Sequence, residues 1–85
     1  SLAQKKCNLQ FSVYEFKGDE TSEQFPVSDS IVKMVNIKTK KSLKIVSNNG
    51  LAEFKGVPEG DYEISFSKPG FQTTLNKYGV YCGLV

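Results

Sequence analysis

The segment from residue 48 to residue 71, NNGLAEFKGVPEGDYEISFSKPGF, restricts the possible folds of this chain more than any other. Between Tyr62 and Phe66 apolar side chains alternate with polar ones, as in a strand with one buried face. Turn sequences bound this strand, VPEG at residues 57–60 before it and KPG at residues 68–70 after it. Turns and alternating burial account for the segment, so we expect it to position a functional site rather than to form one.

The rest of the chain also consists of short extended segments separated by turns. Residues 31–37 (IVKMVNI) are short and rich in branched residues, which favours a strand, and Asn49-Gly50 is a strong hairpin signal. The lysine-rich residues 38–41 are typical of a solvated hairpin tip. Residues 71–75 and 78–84 supply the last extended segments. The first strand has its apolar residues on one parity: Cys7, Leu9, Phe11 and Val13.

These patterns predict an all-β fold, an antiparallel β-sandwich of about seven strands, because no stretch of helical length shows a 3.6-residue period. The 85 residues suffice for one domain. We expect residues 1–6 to form a disordered N-terminal stub and residues 7–85 to form the single sandwich domain. The longest apolar stretches are a few residues long, so no membrane span is predicted.

The composition excludes several functions. All eleven cationic residues are lysines, and arginine, the residue that grips phosphate and guanine bidentately, does not occur. We therefore expect no nucleic-acid partner. Histidine is absent too, which excludes a Ser-His-Asp triad, a Cys-His pair and imidazole metal ligands. The sequence predicts neither an enzyme nor a bound cofactor.

The central segment resembles transthyretin-like (prealbumin-like) sandwiches, among them carboxypeptidase regulatory-like domains and the B-type repeats of bacterial surface adhesins. The similarity lies in a strand, the turn Gly56-Val57-Pro58-x-Gly60-x-Tyr62, and a second strand that ends in Pro69-Gly70-Phe71. It extends over about residues 26–74. The family has many functions, so the resemblance implies a fold and little about activity. On this interpretation Tyr62 buries its ring, and Phe71 closes the end of the sandwich.

The two cysteines, Cys7 and Cys82, lie on the apolar parities of the first and last strands. They are either two buried thiols or a disulfide, and a small exported domain with a modest core favours the disulfide. In the adhesin repeats a Lys–Asn isopeptide bond often joins the first and last strands, which implies that these strands can be neighbours. No isopeptide is expected here, because the inward positions of the first strand contain no lysine and residues 78–85 contain no asparagine.

Other candidate sites are weaker. The carboxylates of Asp19, Glu20 and Glu23 lack the spacing of a calcium loop and are expected to be solvated, so no metal site is predicted. The transthyretin relatives include a ureide hydrolase that relies on His, Arg and a C-terminal Tyr-Arg-Gly-Ser pattern, all missing here. Four aromatic residues lie off the buried parity and are candidate ligand-facing rings: Tyr14, Phe16, Tyr78 and Tyr81.

The chain begins at Ser1 rather than Met, and we expect an exported protein of the periplasm, cell surface or extracellular space. The leading expectation is a non-enzymatic structural or protein-interaction module whose partner is another protein or a cell-surface component. One alternative is a carbohydrate-binding module that uses the four aromatic rings to bind a glycan. Another is an accessory or regulatory domain of a larger enzyme.

Overall fold

The computed structural model describes residues 5–16 and 24–83, except for the side chains of Phe16 and Gln24. Within these residues the chain is all-β, with antiparallel sheets and no helix, as predicted. The described residues form eight strands, where the sequence predicts about seven. They are β1 (Lys6–Ser12), β2 (Tyr14–Phe16), β3 (Gln24–Pro26), β4 (Ile31–Asn36), β5 (Ser42–Val46), β6 (Leu51–Pro58), β7 (Gly60–Ser67) and β8 (Thr74–Val80).

The count differs from the prediction at both ends of the chain. The N-terminal extended segment is interrupted at Val13, which donates to the carbonyl oxygen of Gly50 and accepts from the amide of Val27, so β1 and β2 are separate strands. The two C-terminal segments are instead one strand, β8. β1 begins at Lys6, one residue before the expected domain boundary, and residues 1–4 lie outside the described part.

The largest sheet has the order β5-β4-β7-β8, and two smaller sheets pair β1 with β6 and β2 with β3. The apolar faces of β1 and β6 and of the four-stranded sheet supply one buried cluster. Met34, Ile64 and Tyr62 contribute from the large sheet, and Phe54 and Val57 contribute from β6. The predicted alternation in β7 is confirmed, since Tyr62 and Ile64 are buried and Phe66 packs against the cluster.

A β-bulge keeps β6 facing this core along its whole length. Ala52 and Phe54 are buried at even positions, but Val57 is buried at an odd one. The register to β1 shifts between Cys7 and Leu9, and Gly56 opposite has φ +68°. The extra residue on β6 resets the parity, and a glycine there adopts the left-handed conformation at little cost.

Two turns carry the chain from one sheet to another. Asn49 and Gly50 both have positive φ, as a type I′ turn requires, and Asn48 and Leu51 exchange two hydrogen bonds around them. The hairpin stops there because β5 pairs with β4 whereas β6 pairs with β1. The turn after Pro58 likewise links β6 to β7, which lie in different sheets.

The other two predicted turns are also present. Residues 37–41 join β4 to β5, and the Asn36 side-chain oxygen accepts hydrogen bonds there from the amides of Lys38 and Thr39, both at 2.9 Å. In the last turn the amide of Phe71 donates to the carbonyl oxygen of Lys68, with Gly70 at φ +85°. Phe71, which is expected to close the end of the sandwich, is 46% exposed.

Candidate functional site

A disulfide joins the beginning of β1 to the segment after β8. Cys7 and Cys82 are bonded with a Cα–Cα distance of 5.8 Å across 75 residues, which is the pairing that the sequence favoured. Cys7 is buried in the core, whereas Cys82 is exposed. The bond therefore ties an exposed terminal segment to the core of the protein.

Glu59 reinforces this connection. Its Oε2 atom accepts 2.7 Å hydrogen bonds from the amides of Cys82 and Gly83, and its own amide donates to the carbonyl oxygen of Lys5. The two sulfur atoms and a Glu59 oxygen lie within 4.8 Å of one another, a spacing that would suit a metal ion. The sulfurs are bonded to each other, however, so neither is a thiolate ligand. The cluster is a structural clamp.

The candidate aromatic residues do not share one surface. Tyr14 lies near Phe66 and Lys68, at one end of β7, whereas Tyr81 contacts Gly79 and Asp61 at the other end. The eight residues of β7 separate these ends by roughly 20 Å. A single sugar platform built from both rings is therefore not formed. The Phe16 side chain lies outside the described part of the chain.

Tyr81 is held in place on the outer face of the four-stranded sheet. Its ring lies against Gly79, and its hydroxyl donates a 3.1 Å hydrogen bond to Oδ1 of Asp61. This hydrogen bond, followed by desolvation and by the negative charges of Asp61 and Glu59, raises the pKa of Tyr81. The ring is committed to an intramolecular contact, which makes it a poor candidate for ligand stacking.

Tyr78 has a different environment. It lies opposite the buried Tyr62 in the β7–β8 register, so it is on the core-facing side of the sheet, yet it is 44% exposed. Its ring packs edge to face against Phe11, with centroids 5.5 Å apart, and Phe11 in turn packs against Phe66. These rings form the partly open boundary of the core between β1 and β8.

β8 is exposed over nearly its whole length. All residues from Thr74 to Gly79 are exposed, on both faces of the sheet, and Leu75 is 63% exposed. Among the described strands β8 pairs only with β7, and β1 pairs only with β6. Within the described residues, the backbone groups on the side of β8 that faces away from β7 are therefore available for pairing with another extended segment.

A cleft of about 240 Å³ opens where this edge meets the turn between β7 and β8. Its lining combines apolar and polar side chains, and Tyr14 and Phe71, which line it, are 47% and 46% exposed. Lys68 is the one charged residue among those that line it. The lining consists of Ser12, Val13, Tyr14, Val27, Ser30, Phe66, Ser67, Lys68, Phe71, Gln72 and Thr74.

Buried hydroxyl groups fix the walls of this cleft. Ser47 Oγ donates to the carbonyl oxygen of Val27 and accepts from the amide of Ser30, at 2.8 and 3.0 Å. Ser30 Oγ donates to the carbonyl oxygen of Ser67, at the end of β7. The loop before β4 is therefore attached to both β5 and β7, and the cleft has a preformed wall.

The sequence did not reveal this cleft. Tyr14 was a candidate ring, but Lys68, Phe71 and Thr74 were assigned only to a turn and an extended segment. These residues lie beside the β1–β2 junction only because distant parts of the chain pack together, and the sequence does not show that packing. The acidic candidates Asp19, Glu20 and Glu23 lie outside the described residues.

No helix in the described residues is long and apolar enough to cross a membrane. Comparison with models of protein families, with curated proteins and with solved structures finds no match to this chain.

Proposed function

We propose that this chain is a non-enzymatic protein-interaction module of an exported protein, and that its partner binds as an extended segment along the free edge of β8. The observation that carries the proposal is the exposure of residues 74–79 on both faces of a strand that has one described neighbour. Edge strands of this kind are recognised by β-augmentation, in which backbone hydrogen bonds supply affinity and side-chain pockets supply specificity.

A transthyretin-like sandwich fold is part of the same proposal. It is supported by the turn at residues 57–60, by the buried Tyr62 and by the Pro69-Gly70 turn, which have the order seen in that family. The export of the protein is supported by the disulfide, because such bonds persist in oxidising compartments. The lack of histidine supports a binding role over catalysis.

The proposal is tested by selecting a displayed library of random peptides on the oxidised protein and measuring hydrogen exchange with an enriched peptide. We expect the peptide to slow exchange of amides in residues 74–79. Leu75→Asp should weaken binding by about tenfold, since it places a carboxylate on the pairing strand. Enrichment of no peptide, or protection elsewhere than β8, would reject the proposal.

Val46→Asp is the matched control. Val46 is 53% exposed and lies on β5, the opposite edge of the same sheet, so it receives the same charge change at a comparable surface position. We expect it to leave peptide affinity unchanged. Equal weakening by both variants would point to a general charge effect and would contradict an interface at β8.

Carbohydrate binding is the second candidate, and the rim of the cleft is what favours it. The exposed rings of Tyr14 and Phe71 stand beside the polar side chains of Gln72 and Thr74, a combination that could stack and hydrogen-bond a sugar. A glycan array tests this directly. Absence of binding at high micromolar sugar would eliminate it.

A further inference from the structure

The cleft beside β8 has the size of a pocket for one side chain. Its volume of about 240 Å³ lies below the range of roughly 300–1,000 Å³ that is usual for drug-sized ligands. Val13, Val27 and Phe66 supply apolar surface to its mixed lining, and all three belong to or pack against the core. A small group with an apolar part can therefore pack against these three side chains.

The charge of the cleft restricts the ligand further. Among the described residues that line it, Lys68 is the one that carries a charge, and none has a carboxylate. Nζ donates a 2.8 Å hydrogen bond to the carbonyl oxygen of Ser28 and lies 5.6 Å from the centroid of the Phe71 ring. These contacts hold the ammonium group in place but engage one of its three N–H donors. A carboxylate is the complementary acceptor for the remaining donors.

We infer that this cleft binds an apolar side chain of a partner peptide together with a neighbouring carboxylate, which pairs with Lys68. The inference rests on the proposed function and specifies the partner: an extended segment in which an apolar residue, aromatic or aliphatic, stands next to an acidic residue or the chain terminus. Thr74 begins β8 and also lines the cleft, so a segment paired with β8 passes the mouth of the cleft. Its alternate side chains point toward one face of the sheet, and one of them enters the cleft.

A phosphate-bearing ligand fits less well. Phosphate sites combine several donors, often arginine forks or consecutive backbone amides, whereas this cleft offers a single ammonium group beside an aromatic ring. A carboxylate carries one negative charge and needs fewer donors. The Phe71 ring beside Lys68 also favours a ligand whose charged group is attached to an apolar body.

The test uses the whole oxidised chain, labelled with ¹⁵N, and a pair of small probes that differ in charge alone. N-acetyl-L-phenylalanine presents an apolar ring and a carboxylate, and N-acetyl-L-phenylalaninamide presents the same ring without the charge. We expect the acid to shift the resonances of Lys68, Phe71 and Thr74 at low millimolar concentration. The amide should bind about three- to tenfold more weakly, the range for one partly exposed charge-assisted hydrogen bond.

Three variants identify the group responsible. Lys68→Gln should reduce the affinity for the acid to that for the amide, and Lys68→Arg should retain the preference for the acid. Lys44→Gln removes a charge from an exposed position on β5 and should change nothing. Equal binding of acid and amide by the native protein, or no shift at the cleft with either probe, would overturn the inference. Shifts there with methyl glucoside alone would overturn it in favour of a sugar.

The experiments distinguish a failure of the edge-strand proposal from a failure of the carboxylate proposal. If selected peptides protect β8 but the acid and the amide bind alike, the edge-strand function stands and the carboxylate preference does not. If the acid binds through Lys68 but no peptide protects β8, the cleft is a site for a small aromatic carboxylate, and the peptide partner is rejected for both proposals.

Discussion

The hydroxyl of Tyr62 donates a 2.7 Å hydrogen bond to the carbonyl oxygen of Pro58, four residues earlier in the chain. The bond spans the point at which the chain leaves β6 and enters β7, and these strands belong to different sheets. The tyrosine ring is 2% exposed, so one side chain both fills the core and fixes the crossover. This pairing explains why a tyrosine suits the position better than phenylalanine.

Removing that hydroxyl should destabilise the fold. Tyr62→Phe leaves a partly buried carbonyl group without its donor, and we expect it to lower the free energy of unfolding by about 1–2 kcal/mol. Urea unfolding of the oxidised protein measures the change. Tyr78→Phe is the control, because Tyr78 is 44% exposed and packs against Phe11 through its ring. Equal losses in both variants would show that the Pro58 bond has no special role.

Gly50 and Gly70 allow the cost of a steric clash to be measured separately from the cost of a left-handed backbone conformation. Their φ angles are +83° and +85°, but a Cβ atom at Gly50 would lie 2.7 Å from Cβ of Pro26, whereas one at Gly70 would have no neighbour within 4 Å. Gly70→Ala should therefore cost about 1–2 kcal/mol, from the left-handed conformation alone. Gly50→Ala should cost at least about 2 kcal/mol more, since backbone must also move.

Thermal or urea unfolding of the two alanine variants checks this difference. Because both substitutions remove the same conformational freedom from the unfolded chain, that contribution cancels between them. Similar free energies of unfolding for Gly50→Ala and Gly70→Ala would mean that the β3 segment around Pro26 yields easily to the added methyl group.

The sequence predicts correctly those features that depend on neighbouring residues alone, namely turns and the buried face of a strand. Asn49-Gly50 and Pro69-Gly70 form turns because of their own backbone preferences, and the alternation around Ile64 fixes which face of β7 is buried. The bulge at Gly56 was missed, although the change of parity between Phe54 and Val57 across a glycine is a signal for it. Such a signal is visible in the residues without any knowledge of their partners.

Pairing and exposure could not be predicted in the same way. The alternation of apolar and polar residues shows which face of a strand is apolar. It does not show which strand lies beside it, because the paired strands come from distant parts of the chain. Phe71 illustrates the limit: the sequence predicts that it closes the end of the sandwich but not that it lies exposed beside Ser12, Val13 and Tyr14 in the lining of a cleft. The cleft depends on such long-range packing, and it is therefore the part least accessible from sequence.

Breaking the disulfide should remove a large part of the stability. In the chain-entropy model, a link across 75 residues contributes about 4 kcal/mol by restricting the unfolded chain. We expect reductant to lower the free energy of unfolding of the native protein by about this amount. The double variant Cys7→Ala/Cys82→Ala should be equally destabilised and insensitive to reductant. If reduction changes the native protein by less than about 1 kcal/mol, the Glu59 hydrogen bonds suffice to hold the terminal segment.

Deprotonation of Tyr81 should lower the free energy of unfolding at alkaline pH. Its pKa in the folded protein is raised, chiefly by the hydrogen bond to Asp61, above the ordinary value of about 10. A raised folded-state pKa means that the neutral tyrosine stabilises the fold below pH 10, and that this contribution is lost as the pH rises through the folded pKa. Tyr81→Phe should therefore weaken the alkaline decrease in stability. NMR titration of ¹³Cζ-labelled tyrosine should place the pKa of Tyr81 above the ordinary value of about 10, and Asp61→Ala should bring it down. A Tyr81 pKa at or below 10 in the native protein would show that the Asp61 hydrogen bond does not persist in solution.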